Sequence, residues 1–388
     1  MNFKPIVIIF LFGLVSLFGD IVYEGLRSIS GPFLASIGAS AVIIGFFSGL
    51  GEFLTYFLRI ISGYISDKKK LYWTFTIIGY CLICALPFLA FTKTWQIAVI
   101  LILLERIGKA IRTPSRDTLI SIAGQNIGYG KSFGIHEVLD QIGGILGPLV
   151  FFLSLSKFKN YSFAFNLMWI PCLLLILTLF FLKKNYTLDI KNDMKDEFRN
   201  RNKITDKFIF YLLFVFFSVS GLLTFPLIAY HLSFKKITIL SNIPIFYIIA
   251  MGVDGIVALF IGNLYDKIKF KSLIIVPFLT IFLPFFSFSS NILFSIIGVI
   301  IFGSVLGCHE TILRASIADI VATSKRGFAY GIFNSIYGIA FFIGGWIIGF
   351  LYENYFKFIP FYIIFVETIS FVFLIVQIKR ENVVEKTG

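Results

Sequence analysis

Asp20, Glu24 and Arg27 recur at i, i+4 and i+7 within an apolar run, so a helix places all three on one face. Asp20 lies about 15 residues from Pro5, roughly 22 Å along a helix axis, near mid-depth of a hydrocarbon layer about 30 Å thick. Two carboxyls one turn apart in a low dielectric cannot both ionise cheaply, and the one that keeps its proton is suited to carry protons. The other reading is a fixed pair, Glu24–Arg27 or Asp20–Arg27, that only locks helices together. A second cluster is His136, Glu137, Asp140 and Gln141. His136 and Asp140 share one helical face, Glu137 and Gln141 the next. Asp140 suits either a proton relay or neutralisation of Arg27 or Arg106, and His136 reads as a helix-end hydrogen bonder. The proton-coupling candidates are thus Asp20, Glu24, Arg27, Glu137 and Asp140.

A third set, Glu105, Lys109, Arg112 and Arg116, follows spacings of four, three and four, with Arg106 beside it. This basic stripe could meet an anionic solute or pair with acids on neighbouring helices. Ionisable residues inside a bilayer are costly and usually face a cavity or a partner. The substrate-cavity candidates are therefore Glu52, Arg59, Glu105, Arg106, Lys109, Asp254 and Glu310, with His309 and Arg314 nearby and Asn334 and Tyr337 as neutral contacts. Glu367 stands isolated and is assigned no role.

These residues need long apolar elements to hold them. The 388 residues are 58% hydrophobic and 14% charged, with mean hydropathy +0.91, whereas a soluble domain carries about a quarter charged residues. Twelve apolar runs can be counted, at 5–33, 41–65, 71–91, 95–117, 131–155, 160–182, 207–231, 242–264, 272–289, 292–318, 327–351 and 356–378. The longest polar stretch, 183–206, reads as a linker between an N-terminal six-helix bundle (1–182) and a C-terminal one (207–388). With the N-terminus inside, 23 of the 34 Lys and Arg fall in inner loops. That asymmetry puts both termini in the cytoplasm. The net charge of +13 is therefore a topology signal and not a nucleic-acid footprint. The first run lacks a small-residue cleavage site and reads as a retained span. Cys81 and Cys84 sit within an apolar run without a nearby His and read as packing residues. The 49 Phe read as lipid-facing or helix-packing. No P-loop, catalytic triad or metal-spaced His/Cys set is present, so neither cofactor, metal nor ATP coupling is expected.

The chain repeats. Gly63-Tyr-Ile-Ser-Asp67-Lys68 returns 199 residues later as Gly262-Asn-Leu-Tyr-Asp266-Lys267. Arg112 and Asp117 recur as Arg314 and Asp319, and Gly130-x-x-x-Gly134 as Gly327-x-x-x-Gly331, with offsets of 202 and 197. Repeated halves are a transporter architecture. The G-x-x-x-D-[RK] pattern after the second run resembles the signature loop of the major facilitator superfamily, over nearly the whole chain. Gly143-x-x-x-Gly147-Pro148 resembles a motif found mainly in that superfamily's antiporters. Two departures stand out: Lys69-Lys70-Leu71 occupies the place of the signature loop's second glycine, and Gly108 follows Arg106 by only two positions.

The resemblance implies an all-α membrane protein of twelve transmembrane helices in two pseudo-symmetric bundles, working by alternating access. Asp67 is expected near the start of the eleventh run, around 326–331, and Lys68 near Asp117. By symmetry Asp266 is expected near Lys131, and Lys267 near Asp319. Gly63, Asp67, Lys68, Arg112, Asp117, Gly262, Asp266, Lys267, Arg314 and Asp319 would form a gate, or else only fix loop topology. Gly143, Gly147 and Pro148 would serve helix packing. The leading expectation is proton-coupled export of a small organic molecule by a monomer in the plasma membrane. A proton-coupled importer of an anionic solute is the alternative, and an intramembrane enzyme or sensor is a remote one. An enzyme acting on lipid diphosphates needs clustered acids for Mg²⁺, and the loops offer only single aspartates followed by lysine.

Overall fold

The computed structural model describes residues 4–125, 129–186, 206–321 and 326–387. Most of the expected linker, 187–205, and Lys325 lie outside the described residues, as do the side chains of Lys131 and Arg326. The described chain is all-helical, with no strand. The helices are α1 (Pro5–Ser36), α2 (Ala41–Lys69), α3 (Tyr72–Cys81, continued by a 3₁₀ stretch, Leu82–Phe91), α4 (Trp95–Gly124), α5 (Tyr129–Phe158), α6 (Tyr161–Leu167) and α7 (Trp169–Asn185). They continue as α8 (Asp206–Ser220), α9 (Phe225–Phe234), α10 (Ile243–Ile268), α11 (Ile275–Ser287), α12 (Ile292–Ile320), α13 (Arg326–Asn354) and α14 (Ile359–Thr387).

Local chemistry sets many of the ends. Pro5 opens α1, where its missing N–H costs nothing. The carboxamides of Asn160 and Asn291 accept from the N–H groups of Ser162 and Leu293, capping α6 and α12. Pro87 lies in the 3₁₀ continuation of α3. The seventh apolar run is interrupted at 221–224, just before Pro226, which has no N–H to donate and whose ring would clash with the carbonyl four residues back in a continuous helix.

By length and composition, ten helical stretches among the described residues can cross a membrane. The tally differs from the twelve runs in the sequence for two reasons. The stretch Leu240–Ser287, 48 residues long, counts once although a charged 3₁₀ turn, Lys269–Ile274, divides it. α4 drops out because Glu105, Arg106, Lys109, Arg112, Arg116 and Asp117 lie along it. Large apolar side chains point outward from many helices: Leu259, Phe260 and Phe361 are about 70% exposed. Exposed apolar surface on this scale needs lipid around it. The phenylalanines divide as packing demands, with Phe12, Phe151, Phe165 and Phe214 fully buried.

Contacts divide the chain into two compact units. Unit 1 comprises Met1–Ser40, Leu50–Asp189 and Phe225–Ile248; unit 2 comprises Ala41–Gly49, Ile190–Thr224 and Ile249–Gly388. In unit 1, α1 is held closest to α5. A Cβ on Gly143 would meet the Leu17 carbonyl and Asp20, one on Gly147 would meet Ile21 and Gly25, and one on Gly25 would meet Phe151. α3 and α4 meet through Gly79 and Gly108, each lying against the other's backbone. The glycine two positions after Arg106 is thus a crossing point for α3. Small residues let membrane helices approach until backbones touch, where dispersion and weak polar contacts replace the absent hydrophobic drive. The first segment of α2 packs in unit 2, where Gly45 and Gly49 lie against the α13 backbone at Gly345, Gly349, Phe341 and Phe342.

The repeated turn is repeated in the backbone too. Lys70 closes α2 with φ 54°, and Lys269 follows α10 with φ 49°, again 199 residues apart. Both adopt the left-handed conformation that a β-carbon resists at about 1–2 kcal/mol. Lys70 therefore fills the place where the resembled loop carries its second glycine. Lys70→Gly should raise stability by about 1 kcal/mol, measured as the shift in denaturation midpoint of the detergent-purified protein; an unmoved midpoint would mean that the turn holds no strain. Gly147→Val should destabilise by about 1–3 kcal/mol through overpacking of α1 on α5, measured in the same way.

Candidate functional site

The intramembrane charges of unit 1 form one connected network. α1 contributes Arg27, α2 Glu52 and α4 Arg106, and Glu52 is shared by both arginines, at 2.5 Å from Arg27 and 3.2 Å from Arg106. Arg106 also lies 3.6 Å from Glu105, which in turn lies 3.9 Å from the buried Arg112. Arg27 touches Glu24 at 3.5 Å. The other Glu24 oxygen accepts the hydroxyl proton of Tyr247, from the start of α10. Tyr247 is fully buried and its ring packs edge-on against Phe225.

Lys109 behaves differently. Its ammonium donates to the Tyr23 hydroxyl at 3.2 Å and lies 4.3 Å above the Tyr23 ring centroid. Among the described residues it forms no ion pair with a carboxylate. Arg112 stacks over Tyr80, 4.9 Å from the ring centroid. Cation–π contact stabilises such desolvated cations without needing an anion.

A second chain leads away from Asp140. Ser16 Oγ lies 2.7 Å from the Tyr80 hydroxyl, 2.9 Å from His136 Nε2 and 3.1 Å from an Arg116 guanidinium nitrogen. His136 Nδ1 lies 3.4 Å from Asp140. One assignment of hydrogens satisfies the set: Arg116 and Tyr80 donate to Ser16, Ser16 donates to Nε2, and Nδ1–H points to Asp140. Asp20 sits against Gly143, within a turn of Asp140 on the facing helix. Asp140, His136, Ser16 and Tyr80 thus form a line of groups able to exchange protons, with Asp20 a turn away on the facing helix and the Arg116 guanidinium, which keeps its protons, donating to Ser16.

The sequence-derived candidates divide accordingly. Asp20, Glu24, Glu52 and Glu105 are buried and Arg27, Arg106, Lys109 and Asp140 half-buried in unit 1, whereas Glu137 is exposed and joins neither chain. Arg59 lies over the Tyr56 ring, 5.3 Å from its centroid. In unit 2, Tyr337 lies 3.2 Å from His309 Nδ1, and Asp254 is buried against Gly307. Asn334 is half-buried, while Glu310 and Arg314 are exposed.

At the repeated turns, Gly63 faces Pro114 of α4 and Gly262 faces Thr311 of α12, an equivalent placement in each unit. The expected partners differ by small register shifts. Asp117 pairs with the neighbouring Arg116 at 2.9 Å, while Lys68 lies over the Tyr64 ring. Asp319 accepts from Tyr265 at 2.8 Å and pairs with Lys269 at 3.2 Å, where Lys267 had been expected. The left-handed φ at Lys269 turns the chain so that this lysine reaches back to α12.

Ser16, Tyr80, Tyr23 and Tyr247 complete the site although spacing had not singled them out, and His136, expected as a helix-end hydrogen bonder on the face of Asp140, lies between Asp140 and Ser16. Ser16 precedes Asp20 by one turn on the same face, so a signal existed. Tyr247 had none, because it comes from a distant apolar run.

The chain belongs to the Major Facilitator Superfamily: the family's model matches residues 9–345. An uncharacterized protein of Mycobacterium tuberculosis is 35% identical over 350 residues, covering 88% of this chain and 86% of its own. An uncharacterized transporter of the same superfamily from Methanocaldococcus jannaschii is 28% identical over 365 residues, covering 89% and 88%. Among solved structures, a nucleoside transporter superposes with TM-score 0.70 at 16% identity, over 96% of this chain and 98% of that one. The fold and family therefore define a non-enzymatic, multi-pass membrane transporter.

Breaking the shared pair tests the network. Glu52→Gln leaves two guanidinium groups without their common anion, and the lost stability should fall near the lower end of about 3–5 kcal/mol, since Arg27 is 25% exposed. Adding Arg27→Gln should restore part of it, and a double-mutant cycle by thermal unfolding reads the difference.

Proposed function

We propose that this chain is a proton-coupled secondary transporter that exports a small organic molecule by alternating access. The observation that carries this reading is the line of proton-exchanging groups from Asp140 through His136 to Ser16 and Tyr80, with the buried carboxyl of Asp20 a turn away on the facing helix. Transporters that spend a proton gradient need carboxyls that can hold a proton in a low dielectric, with a conduit to one side. The Gly143–Pro148 motif, which resembles one found mainly in antiporters, supports the export direction. On this reading twelve spans form two six-helix bundles, 1–182 and 207–388, in the plasma membrane with both termini cytoplasmic and 183–206 as the connector. The protein works as a monomer, and the repeated turns around Gly63–Lys68 and Gly262–Lys267, with Arg112, Asp117, Arg314 and Asp319, act as its gate.

A second reading, proton-coupled import of an anionic solute, is favoured by Lys109. Three glutamates (Glu24, Glu52 and Glu105) balance Arg27, Arg106 and Arg112, so Lys109 is the surplus cation when Asp20 is neutral. A solute carboxylate or phosphate would supply the missing charge.

Proteoliposomes holding a pH-sensitive dye, challenged with a compound panel under an imposed pH gradient, separate the two by direction. Substrate-dependent proton movement is expected, falling about a hundredfold or more in Asp20→Asn and in Asp140→Asn, a loss in the range for general acid–base groups. Solute transport without any proton movement would overturn the coupling. Lys109→Gln should weaken import of anions selectively if the second reading holds.

A further inference from the structure

Outside the charge network of unit 1, and among the described residues, one buried carboxyl has no hydrogen-bond or ion-pair partner. Glu367 lies in α14, about 12 Å along the axis from Ile359, at mid-depth of its span. Its side chain is 0% exposed and neither carboxyl oxygen has a hydrogen-bond partner. One of these oxygens rests against Gly221, where a β-carbon would lie 2.5 Å from it.

The neighbouring contacts fix the register of α8 against α14. Ser370 donates to the Phe214 carbonyl at 3.2 Å, and Tyr362 donates to the Ser220 carbonyl at 3.2 Å. Phe214, Ser218 and Gly221 therefore lie at i, i+4 and i+7 on the side facing α14. Ser218 is also fully buried, and its hydroxyl likewise has no partner. Gly221 begins the interruption at 221–224, so the carboxyl sits where the seventh span stops being helical.

Among the described residues no cation answers Glu367. On α14 the nearest titratable group is Tyr362; on the described side chains of α8 there are Lys207, at the opposite end, and Tyr211, whose hydroxyl bonds the Leu313 carbonyl. α11 carries no titratable residue. Lys357, in the 3₁₀ turn before α14, is exposed at its far end; in the turn after α10, Lys269 is engaged by Asp319 and Lys271 is exposed. On α13, Tyr330 bonds the Arg314 carbonyl, Tyr337 meets His309, Glu353 accepts the Val42 N–H, and Tyr352 packs on Phe288. An ionised carboxylate with neither donor nor counter-ion is far costlier in such a place than a neutral acid. Packing alone would be met by any apolar side chain.

We propose that Glu367 is a proton-binding site of unit 2, separate from the Asp140–Tyr80 line, holding its proton while α14 is closed on α8 and losing it when water reaches the break at Gly221. The proposal does not depend on the substrate or on the coupling assigned to unit 1, because its ligand is the proton.

Infrared difference spectroscopy of the full-length protein in liposomes tests it directly. Subtracting Glu367→Gln from the wild type at neutral pH should show the loss of one protonated-carboxyl stretch. That band should shift in D₂O and disappear reversibly as pH rises while the protein stays folded. If Glu367→Gln does not fold, Glu367→Asp keeps an acid at the position and should move the same band instead of removing it. A difference spectrum containing only a carboxylate band would overturn the proposal, because the group would be ionised. A protonated band that never titrates would overturn it equally, since the group would then be a permanent packing element.

Discussion

An ion in hydrocarbon must be answered by another ion or by a dipole, and in this protein that requirement is met chiefly by Glu52. Its carboxylate lies between Arg27 and Arg106, tying α1, α2 and α4 at one point. Without it each guanidinium would keep only a longer contact, Arg27 to Glu24 at 3.5 Å and Arg106 to Glu105 at 3.6 Å, and would lose its shortest ion pair in a place where desolvation is costly. Glu24, Glu105 and Arg112 extend the same balance outward from that point. The rest of unit 1 is arranged so that these side chains can meet.

They meet because the helices approach closely where glycine permits. Gly143 and Gly147 bring α5 against α1, which sets Asp20 against Gly143, a turn along α5 from Asp140. Gly79 and Gly108 do the same for α3 and α4, and the resulting approach sets the Tyr80 ring beneath Arg112. Electrostatics and packing are therefore not separate contributions: without the small residues the charges would be too distant to neutralise each other.

The two units answer the bilayer in different ways. Unit 1 concentrates paired charges and aromatic faces for cations. In unit 2, the buried polar groups include the neutral His309–Tyr337 contact, Asp254 beside Gly307, and the uncompensated Glu367. The repeat nevertheless persists in the backbone, where Lys70 and Lys269 hold the same left-handed turn. Geometry has been kept at the turns while the chemistry of the interiors has diverged.

Composition alone determined that this is a helical protein of the bilayer, since a chain with so few charges cannot cover its surface for water. Spacing determined which ionisable residues share a helix face: the stripe Asp20, Glu24 and Arg27 is a property of the 3.6-residue period. Partner choice was legible only in part. Arg27 was read as a partner for Glu24 or Asp20, yet its shorter contact is to Glu52. The acidic candidates Glu137 and Asp140, three residues apart, separated into an exposed and a half-buried group because only one face of α5 meets α1. Tyr247 reached Glu24 from 223 residues away. Local period fixes direction around a helix axis, but which helix stands opposite, and at what register, depends on how all the small residues and charges can be satisfied at once. That joint constraint exists only in the folded chain, and it alone decided that Glu367 would be buried with no partner among the described residues.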